Sequence, residues 1–138
     1  MKTNKLRLSD EQHEQYREDG IVRLVLPSAQ RTLLDDFRRE CCIWLNHFGD
    51  IDVRPDELAV KLPQIGYADR QLVAKLYKVS RRFPSVKRLA CDPWCSDVSA
   101  GLMGAAFVSC CHFINVRIDL PGEDKYLLPP HQDFPYIQ

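Results

Sequence analysis

The spacing of apolar residues changes from mostly helical to alternating near Gly104, and that change constrains the fold more than any other feature. Before Gly104 apolar residues recur at helical intervals; from Ile114 onward they alternate, with Ile114, Val116, Ile118 and Leu120 on one side and Asn115, Arg117 and Asp119 on the other. A period near 3.6 marks an amphipathic helix, and a period of two marks a strand. Helices first and strands last predict an α+β fold in one domain, 1–138, with a helical layer over 1–104 and strands over 105–138.

Local signals divide the helical part. Ser9 with Gln12 forms a capping-box pattern and Gly20 suits a helix end, so the stretch between reads as a short polar helix bearing a solvated His13. Ile21 to Leu26 (IVRLVL) reads as a strand closed by Pro27. Ser28 can cap a longer helix that ends at Gly49 and buries Leu33, Leu34, Phe37, Cys41, Trp44, Leu45 and Phe48. Pro55 and Pro63 predict a loop over 50–66. A helix is expected over 68–82, burying Leu72, Val73, Leu76, Tyr77 and Phe83, and Pro84 and Pro93 each suit the first turn of a further short helix. Pro121-Gly122-Glu123-Asp124 makes a turn, and Lys125 to Asp133 predicts a second strand that its prolines restrict to an edge.

Composition narrows the class. The 138 residues carry 19 Lys plus Arg and 19 Asp plus Glu, so no net field favours nucleic acid or an anionic membrane as partner. The basic pairs Arg38-Arg39 and Arg81-Arg82 fall in helical patterns and read as solvated faces. No apolar run is long enough to span a bilayer and the charged start lacks a secretory core, so a cytoplasmic protein is expected. Cys41-Cys42 and Cys110-Cys111 are adjacent pairs, and a bond between neighbours is strained. In a reducing compartment these are buried small apolar side chains.

The chemistry gathers in PPHQDFPYIQ, Pro129 to Gln138. In a strand, His131 and Asp133 would point to one face with attachment points roughly 6–7 Å apart, close enough to share a metal ion. With a second histidine they would form the two-histidine, one-carboxylate set of non-haem Fe(II) oxygenases, which leaves positions open for a chelating 2-oxo acid and dioxygen. Taken alone, H-x-D is a short pattern that arises by chance, and a surface-loop pair is then the better reading.

The surroundings change that balance. FINVRIDLPGEDKYLLPPHQDFPYIQ resembles the segment that enters the iron site in the phytanoyl-CoA dioxygenase family, and LSDEQHEQYREDGIVRLVL is similar to that family's start. The resemblance touches both ends of the chain and is loose between them. It implies a double-stranded β-helix, or jelly roll, with helices outside, and a 2-oxoglutarate-dependent dioxygenase acting on a small-molecule substrate. His131 and Asp133 would be two iron ligands, Gln132 would help hold 2-oxoglutarate, and Asn115, Arg117 and Asp119 would line the pocket. Alternation alone equally allows those last three to face solvent.

The family's second histidine and its 2-oxoglutarate-binding arginine lie well downstream of H-x-D, whereas this sequence stops five residues after Asp133. His13, His47 and His112 do not match the family's ligand. The expectation is therefore the N-terminal part of a longer enzyme, inactive by itself. Two other classes stay open: a non-catalytic interaction protein keeping a partial oxygenase fold, and a small zinc module built from Cys91, Cys95 and His112.

Overall fold

In the computed structural model, residues 8–109, 114 and 116–122 are described. Six helices form there: α1 Asp10–Asp19, α2 Ser28–Phe48, α3 Leu58–Ala68, α4 Arg70–Ser80, α5 Pro84–Ala90 and α6 Pro93–Met103. No strand is present among the described residues, so the α+β expectation, jelly roll included, is corrected to an all-helical arrangement. Lys125 to Asp133, the second expected strand, lies outside the described residues.

Several boundaries follow from short-range chemistry. Ser9 caps α1 through a complete capping box with Gln12, and Gly20 closes the helix at φ 70°. Asp69 separates α3 from α4 because its carboxylate accepts from the Leu72 N–H at 3.0 Å. Asp92 does the same for α6, accepting from the Trp94 N–H at 2.8 Å, and Pro84 and Pro93 each open their helix. The α2–α3 connection begins tightly: a Cβ at Gly49 would fall 2.7 Å from the Leu45 carbonyl oxygen, and Asp50 follows at φ 50°. Asn46 then holds the loop, accepting from the Val53 N–H at 3.1 Å and donating to its carbonyl at 3.3 Å.

The expected loop over 50–66 is corrected in its second half, which is α3. Pro63 removes one intrahelical hydrogen bond, a cost of about 3 kcal/mol in a helix interior. Leu58 and Ile65 are buried and Leu62 packs beside them; each buried aliphatic contributes about 1.5–3 kcal/mol. Tertiary burial outweighs the local penalty.

The core joins Cys41, Cys42 and Leu45 of α2, Val53 of the loop, Leu58 and Ile65 of α3, and Leu72, Val73 and Leu76 of α4. Helix α2 packs on α4 and α5, and α3 packs on α4. Neither α1 nor α6 buries a residue, although Gln30 of α2 reaches the α6 cap by donating to Asp92 at 2.9 Å. Four side chains expected in the core are not there: Phe48 is 66% exposed and Tyr77 39%, and Leu33 and Leu34 are only half-buried and outside the core cluster.

Both expected strands that can be compared lack regular secondary structure among the described residues. Residues 21–26 alternate between exposed and half-buried, with Ile21 and Val25 among the exposed. Residues 116–120 keep the alternation, but against helices: Ile118 packs on the core cluster, Leu120 is buried, and Arg117 and Asp119 face outward. A Cβ at Gly66 would fall 2.2 Å from Leu120 Cδ1, so α3 offers a bare stretch of backbone on which Leu120 sits. The Tyr67 hydroxyl donates to the Pro121 carbonyl at 2.7 Å and secures the end of this segment. A period of two specified one buried face; it did not specify a sheet.

Candidate functional site

Of the residues singled out from sequence, His131, Gln132, Asp133, Asn115 and His112 lie outside the described residues. Arg117 and Asp119 are described, and they pair with each other: Arg117 Nε donates to Asp119 Oδ1 at 2.8 Å, both side chains being more than 40% exposed. An exposed pair of this kind contributes about 0–1 kcal/mol. With Arg70, Val73, Ala74 and Tyr77 of α4 and Ile118 between them, the pair lines an open cleft of about 390 Å³.

The two faces of the segment explain the cleft. Ile118 turns toward the core and forms floor with Val73 and Ala74, while the neighbours of Ile118 in the chain necessarily project to the rim. Arg117 is already held by a carboxylate, so an anionic group approaching it must compete with Asp119. Arg70 and Tyr77 were not legible as cleft residues. Tyr77 follows the buried Leu76 directly, and its aromatic ring suggested core, but the buried edge of α4 runs through Leu72, Val73, Leu76 and Ser80.

The described histidines, which do not match the family's ligand, lie apart from this cleft. His47 lies edge-on to Phe48 at the end of α2, with ring centroids 4.6 Å apart. His13 lines a second cleft, of about 630 Å³, together with Tyr16 and Arg17 of α1 and the last turn of α6. Among the described residues no three His, Cys, Asp or Glu side chains gather in a way that could hold a metal ion.

Cysteine chemistry divides by burial. Burial pushes the Cys41 thiol up to about 12, with the neighbouring Cys42 and Glu40 adding to the shift. Cys42 is raised by burial and then by Asp56 and Glu57, and Cys95 by burial and then by Asp92. Cys91 is exposed. Since the thiolate is the nucleophile, N-ethylmaleimide at mildly alkaline pH should label Cys91 first and Cys95 more slowly. Cys41 and Cys42 should stay unlabelled until denaturant is added. Peptide mass spectrometry checks the order, and early labelling of Cys41 would contradict the packing of α2.

No family model, curated protein or solved structure matches the chain. No helix among the described residues is long and apolar enough to cross a membrane.

Proposed function

We propose that this chain supplies His131 and Asp133 to the iron site of a cytoplasmic, non-haem Fe(II), 2-oxoglutarate-dependent oxygenase resembling the phytanoyl-CoA dioxygenase family. The observation that carries the reading is the sequence HQD placed shortly after RIDLPGED. An imidazole nitrogen and a carboxylate oxygen suit Fe(II), and they are two of the three donors such a centre uses. Support comes also from residues 116–120, where Ile118 and Leu120 turn to the helices and leave Arg117 and Asp119 at an open cleft.

Fe(II) held by His131 and Asp133 would supply the chemistry by which dioxygen is shared between 2-oxoglutarate, released as succinate and CO2, and a hydroxylated C–H bond of the substrate. The chain's part is to hold and orient: His131 and Asp133 would bind the metal, and Gln132 would help hold the co-substrate. Arg117, Asp119 and Asn115 would border the pocket for a small-molecule substrate. The reading includes no sheet among the described residues.

The motif assigns no third ligand within this sequence, so the test uses the product of the whole reading frame that encodes it. Release of succinate from 2-oxoglutarate should require added Fe(II), and His131→Ala and Asp133→Ala should each abolish it. Turnover that survives both substitutions would refute the assignment.

A further inference from the structure

The chain-wide charge balance conceals a local segregation. From Arg70 through Arg88 the sequence holds seven Lys and Arg and not one Asp or Glu. Over α1, by contrast, Asp10, Glu11, Glu14, Glu18 and Asp19 face a single Arg17.

The fold turns the basic run outward. Leu72, Val73, Leu76 and Ser80 commit one side of α4 to the core, which leaves Lys75 and Lys78 on the solvent side. Arg81 and Arg82 follow in the turn after α4, and Lys87 and Arg88 lie on α5, all four exposed. Asp36 holds Arg88 at 3.0 Å. Lys75, Lys78, Arg81, Arg82 and Lys87 make no ion pair among the described residues. Elsewhere Arg17, Arg38, Arg39, Arg54, Lys61 and Arg117 each hold a carboxylate, while Arg23 and Arg31 make no ion pair among the described residues but stand singly, not in a run.

Helix-dipole complementarity accounts for cations in the last turns of α4 and α5. It does not account for Lys75 in mid-helix, nor for nineteen residues without an acid. Even the first turn of α5, where an acid would be favourable, is served by Glu40 from α2. Like charges a helical turn apart repel by about 0.2–0.5 kcal/mol per pair, a cost that a bound polyanion removes.

We infer that the ridge formed by Lys75, Lys78, Arg81, Arg82 and Lys87 docks the phosphodiester backbone of a nucleic acid strand. Three candidate anions differ in what they gain here. Carboxylates, such as those of α1 in a second copy, would form exposed ion pairs worth about 0–1 kcal/mol each and screened by salt. A nucleic acid releases condensed counterions at every phosphate neutralised, so five exposed cations suffice without burial. An anionic membrane is flat and rewards apolar insertion. The apolar side of α4 is already in the core, and its exposed side offers only the half-covered ring of Tyr77. That ring beside Lys78 suits stacking of an unpaired base.

Binding of a labelled single-stranded oligonucleotide of mixed sequence to the full chain, followed by fluorescence anisotropy across a salt series, tests the inference. Non-specific affinity of roughly 10⁻⁶ to 10⁻⁴ M at physiological salt is expected, with a log–log salt slope of about −3.5 for five contacts. Lys75→Gln, Lys78→Gln and Arg82→Gln together should weaken binding at least about tenfold and flatten the slope by about 2. A second variant, K75Q with K87Q, should flatten it by about 1.4. Replacing the paired Arg38 and Arg39 by Gln should leave binding unchanged. Helical circular dichroism identical to the starting protein is required of each variant. Unchanged slopes in both ridge variants would overturn the inference, as would equal weakening by the Arg38 and Arg39 variant. So would tighter binding to poly-glutamate or to phosphatidylserine vesicles, or a salt-sensitive dimer in sedimentation that the ridge variants dissolve.

Discussion

Leu76→Ala is expected to lower the free energy of unfolding by about 2–5 kcal/mol, the range for deleting a buried leucine side chain where the site collapses only in part. Leu76 is fully buried, on the helix that touches both α2 and α3. Its neighbours in the cluster come from three helices and from Val53 in the α2–α3 loop, so no single element can move to fill the space. Small domains are stable by about 5–15 kcal/mol, and a loss of this size removes a large share. Urea denaturation followed by circular dichroism should show the midpoint falling with little change in slope. Val60→Ala, at a side chain 68% exposed, should change stability by less than about 0.5 kcal/mol. Similar losses at the two positions would mean that α4 is not the centre of the core.

The helices were legible where a side chain and its own backbone settle the matter. Ser9 with Gln12, Gly20, Pro84 and Pro93 act within one turn, and each stands where it was expected; Ser28, expected as a cap, is instead the first residue of α2, behind Pro27, which gives no side-chain cap. Legibility failed where a distant contact decided. Pro55 and Pro63 argued against α3, yet the burial of Leu58 and Ile65 against α4 is a tertiary fact that no local window contains. Ile21 to Leu26 has the branched residues of a strand, but strand propensity describes a fit to neighbouring strands, and none of the described residues supplies one. The alternation over 116–120 was real, and only its partner was misread. Ile118 and Leu120 are inward because helices lie beneath them, with Gly66 providing the close approach. Of the candidate site, the sequence placed Arg117 and Asp119 together on one face, and left open whether that face lines a pocket or meets solvent. The cleft walls, Arg70 and Tyr77, come from α4, some forty residues earlier, and nothing local connects them. Charge was misleading for a related reason: a total of zero says nothing about where the signs lie, and the acid-free run from Arg70 to Arg88 is legible in the sequence, while the exposure of its cations comes from the structure.

Glu40→Ala should cost about 2–3 kcal/mol, the scale for hydrogen bonds that end on a charged acceptor and leave buried donors behind when broken. The reason lies in how α5 begins. Phe83 at its N-cap gives no side-chain cap, Pro84 has no N–H, and Ser85 therefore presents the first orphan donor while only 1% exposed. Glu40, one α2 residue, answers both its donors: the Ser85 N–H lies 3.3 Å from each carboxylate oxygen, and the Ser85 hydroxyl donates to Oε2. It is a cap supplied from another helix, and with the Arg88–Asp36 pair it ties α5 to α2. Glu40→Gln keeps one carbonyl acceptor and the shape of the side chain, so about half the loss is expected. Ser85→Ala removes the hydroxyl but leaves the N–H. In a double-mutant cycle the two substitutions should therefore be less than additive, with a coupling of about 1 kcal/mol. Full additivity would mean that Glu40 and Ser85 act independently, and α5 would then owe its position on α2 to apolar contacts and the Arg88–Asp36 pair.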